Sequence, residues 1–259
     1  MANTVDLKNA RVLISNDDGI NAPGIEVLER IAHEVAREVW VVAPETEQSA
    51  TSHSLTCRRP LRIRQVSERR FAVDGSPTDS VLVGMREVLQ QNPPDIVLSG
   101  VNRGANICDD VTYSGTVAAA MEGTLLGVPS IALSLATEGS RDVRWETVEH
   151  WAPDILRRLT GIGWPENVLI NVNFPNIPTD AVTGISMTSQ GIGKAGQGMT
   201  KDVDPHGDVI FWLGTDSHDK RFREGNDVEA IKRGEVSVTP LSLDLTHRPT
   251  LEALRAQFK

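Results

Sequence analysis

The chain has 259 residues, 39% of them hydrophobic, and a formal charge of −9 from 26 basic and 35 acidic side chains. That apolar fraction is too low for a membrane protein and, with clear periodicity, too high for a disordered one, so a folded, soluble chain is expected. The acidic balance disfavours extended contact with a nucleic-acid backbone, which needs a basic face that releases counterions. A small anion would need a local positive centre, such as a metal ion or a helix amino terminus.

The length suits one domain over 1–259, with a core over about 8–180 and an extended hairpin and arm over about 181–259. No apolar run approaches the ~20 residues needed to span a bilayer, and the amino terminus lacks a basic-then-apolar profile, so a cytoplasmic location away from membranes is expected. Cys57 and Cys108 are the only cysteines. So distant a pair is no disulfide framework, and two reduced thiols are expected.

In chain order, residues 11–15 read as a short buried strand, broken by the turn formers Asn16-Asp17-Asp18-Gly19. Pro23 suits a first helical position, and Ile25, Leu28, Ile31, Ala32 and Val35 repeat at the spacing of one buried face. Val39 to Ala43 is a second apolar strand, closing a β-α-β unit with parallel strands. The pattern recurs with Ser76, Pro77 and Asp79 at a helix start, an apolar stripe from Val81 to Leu89, and a strand from Asp95 to Ser99. A helix over Thr116 to Leu126 precedes a strand over Ser130 to Leu135. A further amphipathic helix from Trp145 to Leu159 leads to a strand over Val168 to Asn173. Alternating strands and helices predict a Rossmann-like, doubly wound, mostly parallel sheet of the α/β class.

From about residue 175 the alternation stops. Strand-like pieces at Gly184 to Ser189, Val209 to Leu213 and Val236 to Thr239 read as hairpins projecting from the core. Projecting strands usually find a partner chain, so a homo-oligomer built by arm exchange is expected.

In an open parallel sheet, ligands bind beyond the carboxyl ends of the strands. Four loops there stand out. In Asn16-Asp17-Asp18-Gly19 two adjacent carboxylates leave a buried strand with no basic neighbour in sequence, and a divalent cation would relieve their repulsion. A helix-capping turn is the plain alternative. Pro44 to Thr56 is rich in hydroxyls and contains His53; by itself it reads as a solvated connection. Ser99 to Asn106 is followed by Asp109, Asp110, Tyr113 and then Ser114-Gly115-Thr116, whose free amides and hydroxyls at a helix start make an anion site. Asn171 to Pro175 is expected to brace loops rather than touch substrate.

Gly191-Ile192-Gly193-Lys194-Ala195-Gly196 fits a dinucleotide fingerprint literally, but no apolar-periodic helix follows it, so a glycine-rich hairpin is the better reading. Kinase, zinc and serine-hydrolase motifs are missing. Trp40, Trp145, Trp151, Trp164 and Trp212 are expected in the core or at interfaces.

Ser15-Asn16-Asp17-Asp18-Gly19 with Ala22-Pro23-Gly24, Val42-Ala43-Pro44, Gly75-Ser76-Pro77-Thr78-Asp79, Ser99-Gly100-Val101-Asn102, and Tyr113 to Gly123 together resemble the SurE family, the stationary-phase survival proteins. The match runs in order over residues 11–135, with weaker echoes at Asn171 to Pro175 and Val236 to Pro240. The resemblance implies a 5′- or 3′-nucleotidase, an acid-type phosphomonoesterase using Mg²⁺ or Mn²⁺, with a swapping carboxyl-terminal arm and dimers or tetramers. Carried over by position, the metal ligands are Asp17, Asp18, Ser49 and Asn102, and the phosphate is held by Asn106 with Ser114, Gly115 and Thr116. Two departures are Ala50, where glycine is common in the family, and Ser76 in place of threonine.

On that reading Asp17 anchors the ion, Asp18 orients or deprotonates the attacking water, and the helix amides at Gly115 and Thr116 stabilise the equatorial oxygens of a nucleoside monophosphate. One competing reading makes Asp17 or Asp18 a covalent phosphoryl acceptor, against which their adjacency counts. Another is a non-catalytic nucleotide-binding module.

Overall fold

A computed structural model describes residues 3–137, 139–193, 199–213 and 224–258. The first strand, β1 (Arg11–Ser15), is buried from Val12 onward. It turns Val12 and Ile14 into one apolar layer and Leu13 into the other, as the two-residue period of a strand requires. Helix α1 (Pro23–Val35) starts on its proline and buries Ile25, Leu28, Ile31 and Val35. After β2 (Glu38–Pro44) comes a hairpin that the periodicity did not announce, β3 (Ile63–Ser67) and β4 (Arg70–Val73). Every residue of β3 is exposed, so no apolar alternation marks it.

Ser76 caps α2 (Pro77–Val83) in a reciprocal arrangement with Asp79, and one wide turn over Gly84–Val88 extends the helix. Strand β5 (Ile96–Arg103) runs four residues beyond its expected end. Then follow α3 (Gly115–Leu125), β6 (Ser130–Ala136), α4 (Trp145–Ile162) and β7 (Val168–Pro175). The remainder is β8 (Gly184–Met187), β9 (Met199–Val203), β10 (Val209–Leu213), α5 (Asp227–Lys232), β11 (Glu235–Ser242) and α6 (Arg248–Gln257).

Among the described residues, nine strands form one sheet in the order β3-β4-β2-β1-β5-β6-β7-β11-β8. From β4 through β7 neighbours are parallel; β3 and β11 each lie antiparallel to their inner neighbours, and β8 is parallel to β11. Helices α1 and α4 cover one face, and α2 and α3 the other. No helix among the described residues is long and apolar enough to cross a membrane.

Two of the three pieces expected to project do not. Residues of β8 and β11 complete the main sheet, and Val236 and Val238 are buried against it. Without β11 the edge of β7 would leave its backbone groups unpaired, and pairing it there satisfies them. Among the described residues, only β9 and β10 form a separate two-stranded hairpin.

The winding fixes where a crevice opens. From β1 the chain moves outward through β2 to β4, then crosses back to β5 on the other side of β1 and moves outward again through β6 and β7. Loops leaving β1 and β5 therefore diverge, opening a crevice at the carboxyl ends of these two strands.

Candidate functional site

Asn16 leaves β1 fully buried, and its side-chain amide donates to the Gly19 carbonyl at 2.9 Å, closing the turn. Gly19 sits at φ +100°, a left-handed conformation, and an added Cβ there would meet the Thr46 carbonyl carbon at 3.2 Å. This closeness packs the loop after β2 onto the loop after β1. The Gln48 N–H donates to the Asp17 carbonyl at 2.7 Å, and the Ile20 N–H to the Pro44 carbonyl at 2.8 Å.

Asp17 is 5% exposed, and the Thr116 hydroxyl of α3 donates to its Oδ1. Burial pushes its carboxyl up to about 6; the Thr116 bond opposes the rise, and the neighbouring Asp18 charge adds to it. Asp18 is also raised by burial, the Arg103 backbone N–H opposing from 3.4 Å and the Glu47 charge reinforcing. Both acids are thus held where ionisation is costly.

A cleft of about 850 Å³ lies over this pair and is lined by Asp17, Asp18, Ser49, Asn102, Asn106 and Ser114. Six of the eight expected site residues therefore share one cavity. Ser49 Oγ donates to Glu47 Oε1 at 2.8 Å. Next to it, Ala50 adopts φ +58°, the region glycine favours, so alanine takes the left-handed path there. Asn102 donates its side-chain amide to the Gly104 carbonyl at 2.9 Å, which leaves its Oδ1 lone pairs available to a cation.

Asn106 is held from behind. Its N–H donates to Asn173 Oδ1 at 2.9 Å, its Nδ2 to Ser134 Oγ at 2.8 Å, and its carbonyl accepts from Asn171 and Asn173. The Asn171 to Pro175 segment thus braces a loop. Ser114 caps α3 by accepting the Val117 N–H at 3.0 Å.

Gly115 and Thr116 stand behind the cleft rather than on it. Thr116 is fully buried with its hydroxyl on Asp17, and a Cβ on Gly115 would lie 2.7 Å from the Asp17 Cβ. Glycine at this position lets the start of α3 come up against the carboxylate, where the helix dipole favours negative charge.

The sequence reading missed Glu47, Arg141 and Trp145 as walls of the cleft, whereas Arg103 and Tyr113, which also line it, belong to the Ser99–Ser114 segment already singled out. Glu47 lies in the polar loop already singled out, two residues before Ser49, so its position was a usable signal. Trp145 opens α4 beside α1, a juxtaposition that only the packing supplies. His53 is tied to Glu122 of α3 at 3.0 Å and fastens the Ser49 loop. In the fingerprint-like segment, Gly193 exchanges bonds with Asp109; Lys194, Ala195 and Gly196 lie outside the described residues. Cys57 is exposed and Cys108 is buried, and the two do not form a disulfide.

Among the described residues no three His, Cys, Asp or Glu side chains cluster as a metal site. The donors available are two carboxylates, a hydroxyl and an amide oxygen, an all-oxygen set that fits a hard divalent cation. The raised, adjacent carboxylates fit it too, because a cation would remove the repulsion between them.

The family model described as "Survival protein SurE" matches residues 12–197. A Paramagnetospirillum magneticum protein named 5′-nucleotidase SurE is 60% identical over 253 residues, covering 98% of this chain and 97% of that one. The Rhodospirillum rubrum protein of the same name is 50% identical over 257 residues, covering 98% of each. The crystal structure of the SurE protein from Aquifex aeolicus superposes with a TM-score of 0.84 at 38% identity, covering 96% of this chain and all of that one. With a carboxylate pair at the switch point of its sheet, and with this likeness along nearly its whole length, the chain belongs to the SurE family.

Proposed function

We propose that the chain is a metal-dependent phosphomonoesterase that hydrolyses nucleoside 5′-monophosphates, and 3′-monophosphates as a second class, to nucleoside and phosphate. The observation that carries this is the pair Asp17 and Asp18, raised by burial and facing a cleft that starts at the amino end of α3. The relatives' shared name, 5′-nucleotidase SurE, supports the substrate class.

Asp17, Asp18, Ser49 and Asn102 would hold Mg²⁺ or Mn²⁺. When bound, such a cation offsets charge on the phosphoryl oxygens and acidifies the attacking water. Asp17 is the rigid anchor, because Thr116 fixes its Oδ1 and Gly115 lets α3 approach it. Asp18, joined to the protein by one long bond at 3.4 Å, is free to orient that water and accept its proton. Asn106, locked by three side chains, and Ser114, at the positive end of α3, receive the phosphoryl oxygens. The pre-set backbone means little reorganisation at the moment of reaction. Burial of Asp17 and its bond to Thr116 count against a covalent aspartyl-phosphate route.

Exposed Phe211, Trp212 and Leu213 on β10, with Leu245, Leu254 and Phe258 near the end of the chain, support assembly as a dimer or tetramer by arm exchange. One domain of 1–259 and a cytoplasmic location complete the reading. The direct test is phosphate release from a panel of 5′- and 3′-nucleoside monophosphates with and without Mn²⁺ or Mg²⁺. Release is expected only with metal and not from Asp18→Ala; metal-independent release, or full activity of that variant, would overturn the assignment.

A further inference from the structure

Asp227 opens α5 fully buried, outside the residues the reaction uses and beyond the span matched by the family model. Its Oδ2 accepts the Cys108 N–H at 2.9 Å and its Oδ1 accepts the Gly191 N–H at 3.0 Å, with the Cys108 thiol 3.7 Å from Oδ1. Burial pushes its carboxyl up, and the N–H donors of Cys108, Gly191 and Val228 oppose that rise. A carboxylate taken out of water to receive backbone N–H groups from two distant segments is a rivet between them.

Those two segments are bonded to each other as well. Asp109 N–H donates to the Gly193 carbonyl at 3.0 Å, Gly193 N–H to Asp109 Oδ2 at 2.9 Å, and Gln190 Nε2 to the Cys108 carbonyl at 2.9 Å. The clamped piece is the turn Cys108–Thr112, which joins Asn106 to Ser114. Cys108 itself sits at φ +57°, a conformation a non-glycine residue holds only when its surroundings fix it. The Asn106 end is already held by Asn171, Asn173 and Ser134.

We propose that Asp227 is a positioning residue for the phosphate arm: it fixes the Cys108–Thr112 turn and so sets Asn106 and Ser114 toward the same phosphoryl group. This rests on the reading of Asn106 and Ser114 as phosphate binders. It predicts that loss of Asp227 acts on phosphate recognition and spares the cation, whose ligands lie in the loops after β1 and β2 and at the end of β5.

The test uses the full chain, Mn²⁺, 5′-AMP as substrate and inorganic phosphate as a ligand read by calorimetry. Two variants reach the rivet from different sides. Asp227→Ala removes the acceptor, and Gly191→Ala keeps it but places a Cβ 2.7 Å from both Asp227 Oδ1 and the Cys108 sulfur. In each, KM for 5′-AMP and the dissociation constant for phosphate should rise on the order of tenfold or more, as a displaced binding group requires. Mn²⁺ affinity should stay within about twofold of wild type, as for distant independent sites. Phosphate affinity equal to wild type in the folded fraction of both variants overturns the proposal, because a merely structural residue lowers only the number of active molecules. Failure of the site reading looks different: the wild-type chain would release no phosphate with Mn²⁺, while the phosphate titration would still decide for or against Asp227.

Discussion

The two ends of β1 treat their carboxylates in opposite ways. At its start, Arg11 donates to Glu38 Oε2 at 2.9 Å and its backbone N–H to Asp95 Oδ2 at 2.7 Å, while the Trp40 indole donates to Glu38 Oε1 at 2.7 Å. The Arg11 bond is the main reason the Glu38 carboxyl falls to about 2. At the other end, Asp17 rises to about 6 because burial outweighs the Thr116 hydroxyl and the backbone N–H groups of Asp17 and Thr116, and Asp18 rises beside it. One end is electrostatically complete within the protein. The other keeps two adjacent carboxylates raised by burial, the pattern that the proposed cation site requires.

The largest effect should come from the incomplete end. Asp18→Ala is expected to lower kcat/KM on the order of a thousandfold or more, since it removes both charge and proton acceptor, while leaving the melting temperature of metal-free protein at or above that of wild type. A matching loss of stability would mean that Asp18 serves the fold, and the contrast would collapse.

Stability against pH should then separate the two ends by sign. Asp17 binds its proton more tightly folded than unfolded, so its contribution to metal-free stability is present below pH ~4 and is lost as pH rises toward about 6. A shift from 3.8 to about 6 corresponds to roughly 3 kcal/mol. Glu38 does the reverse: its contribution is present above its ordinary value of 4.5 and is lost as pH falls toward about 2. Denaturant melts of metal-free wild type, Asp17→Asn and Glu38→Gln across pH 3–8 check both signs. Asp17→Asn should flatten the decline between about pH 4 and 6, and saturating Mn²⁺ should reverse it in wild type. An unchanged decline in Asp17→Asn would remove Asp17 as its source.

Gly115→Ala sharpens the comparison through packing alone. The new Cβ would lie 2.7 Å from the Asp17 Cβ, so the acid or the start of α3 must shift. Activity is expected to fall on the order of a hundredfold, as for misplacement by about 1 Å. Smallest in activity is Glu38→Gln, which should cost about 1–2 kcal/mol of stability at neutral pH and leave kcat and KM at wild-type values. Steady-state kinetics beside a chemical melt measure both.

Most of the core was legible because its strands are buried on both faces and its helices carry one apolar stripe: Val12 to Ile14 and Ile25 to Val35 announce themselves by period alone. The β3–β4 hairpin was not, because an exposed edge strand such as Ile63–Ser67 has no buried face to pattern. The destination of β11 was hidden for another reason: Val236 and Val238 alternate as in any strand, and nothing local says that β7 is the partner. In the site, Asp17 and Asp18 were readable as an acidic pair leaving a strand, and Ser114 as a helix cap. That Thr116 serves Asp17 depends on the approach of α3 to β1, across 99 residues of chain, which no local pattern records. Asp227 was out of reach for the same reason, lying 119 residues from Cys108.

The central claim is that a divalent cation sits between Asp17, Asp18, Ser49 and Asn102. Anomalous diffraction from crystals soaked in Mn²⁺ tests it directly. The account predicts one strong peak within coordination distance of both carboxylates, abolished in Asp17→Asn. A fully active protein whose only manganese peak lies elsewhere, with Asp17 and Asp18 untouched by it, would contradict it.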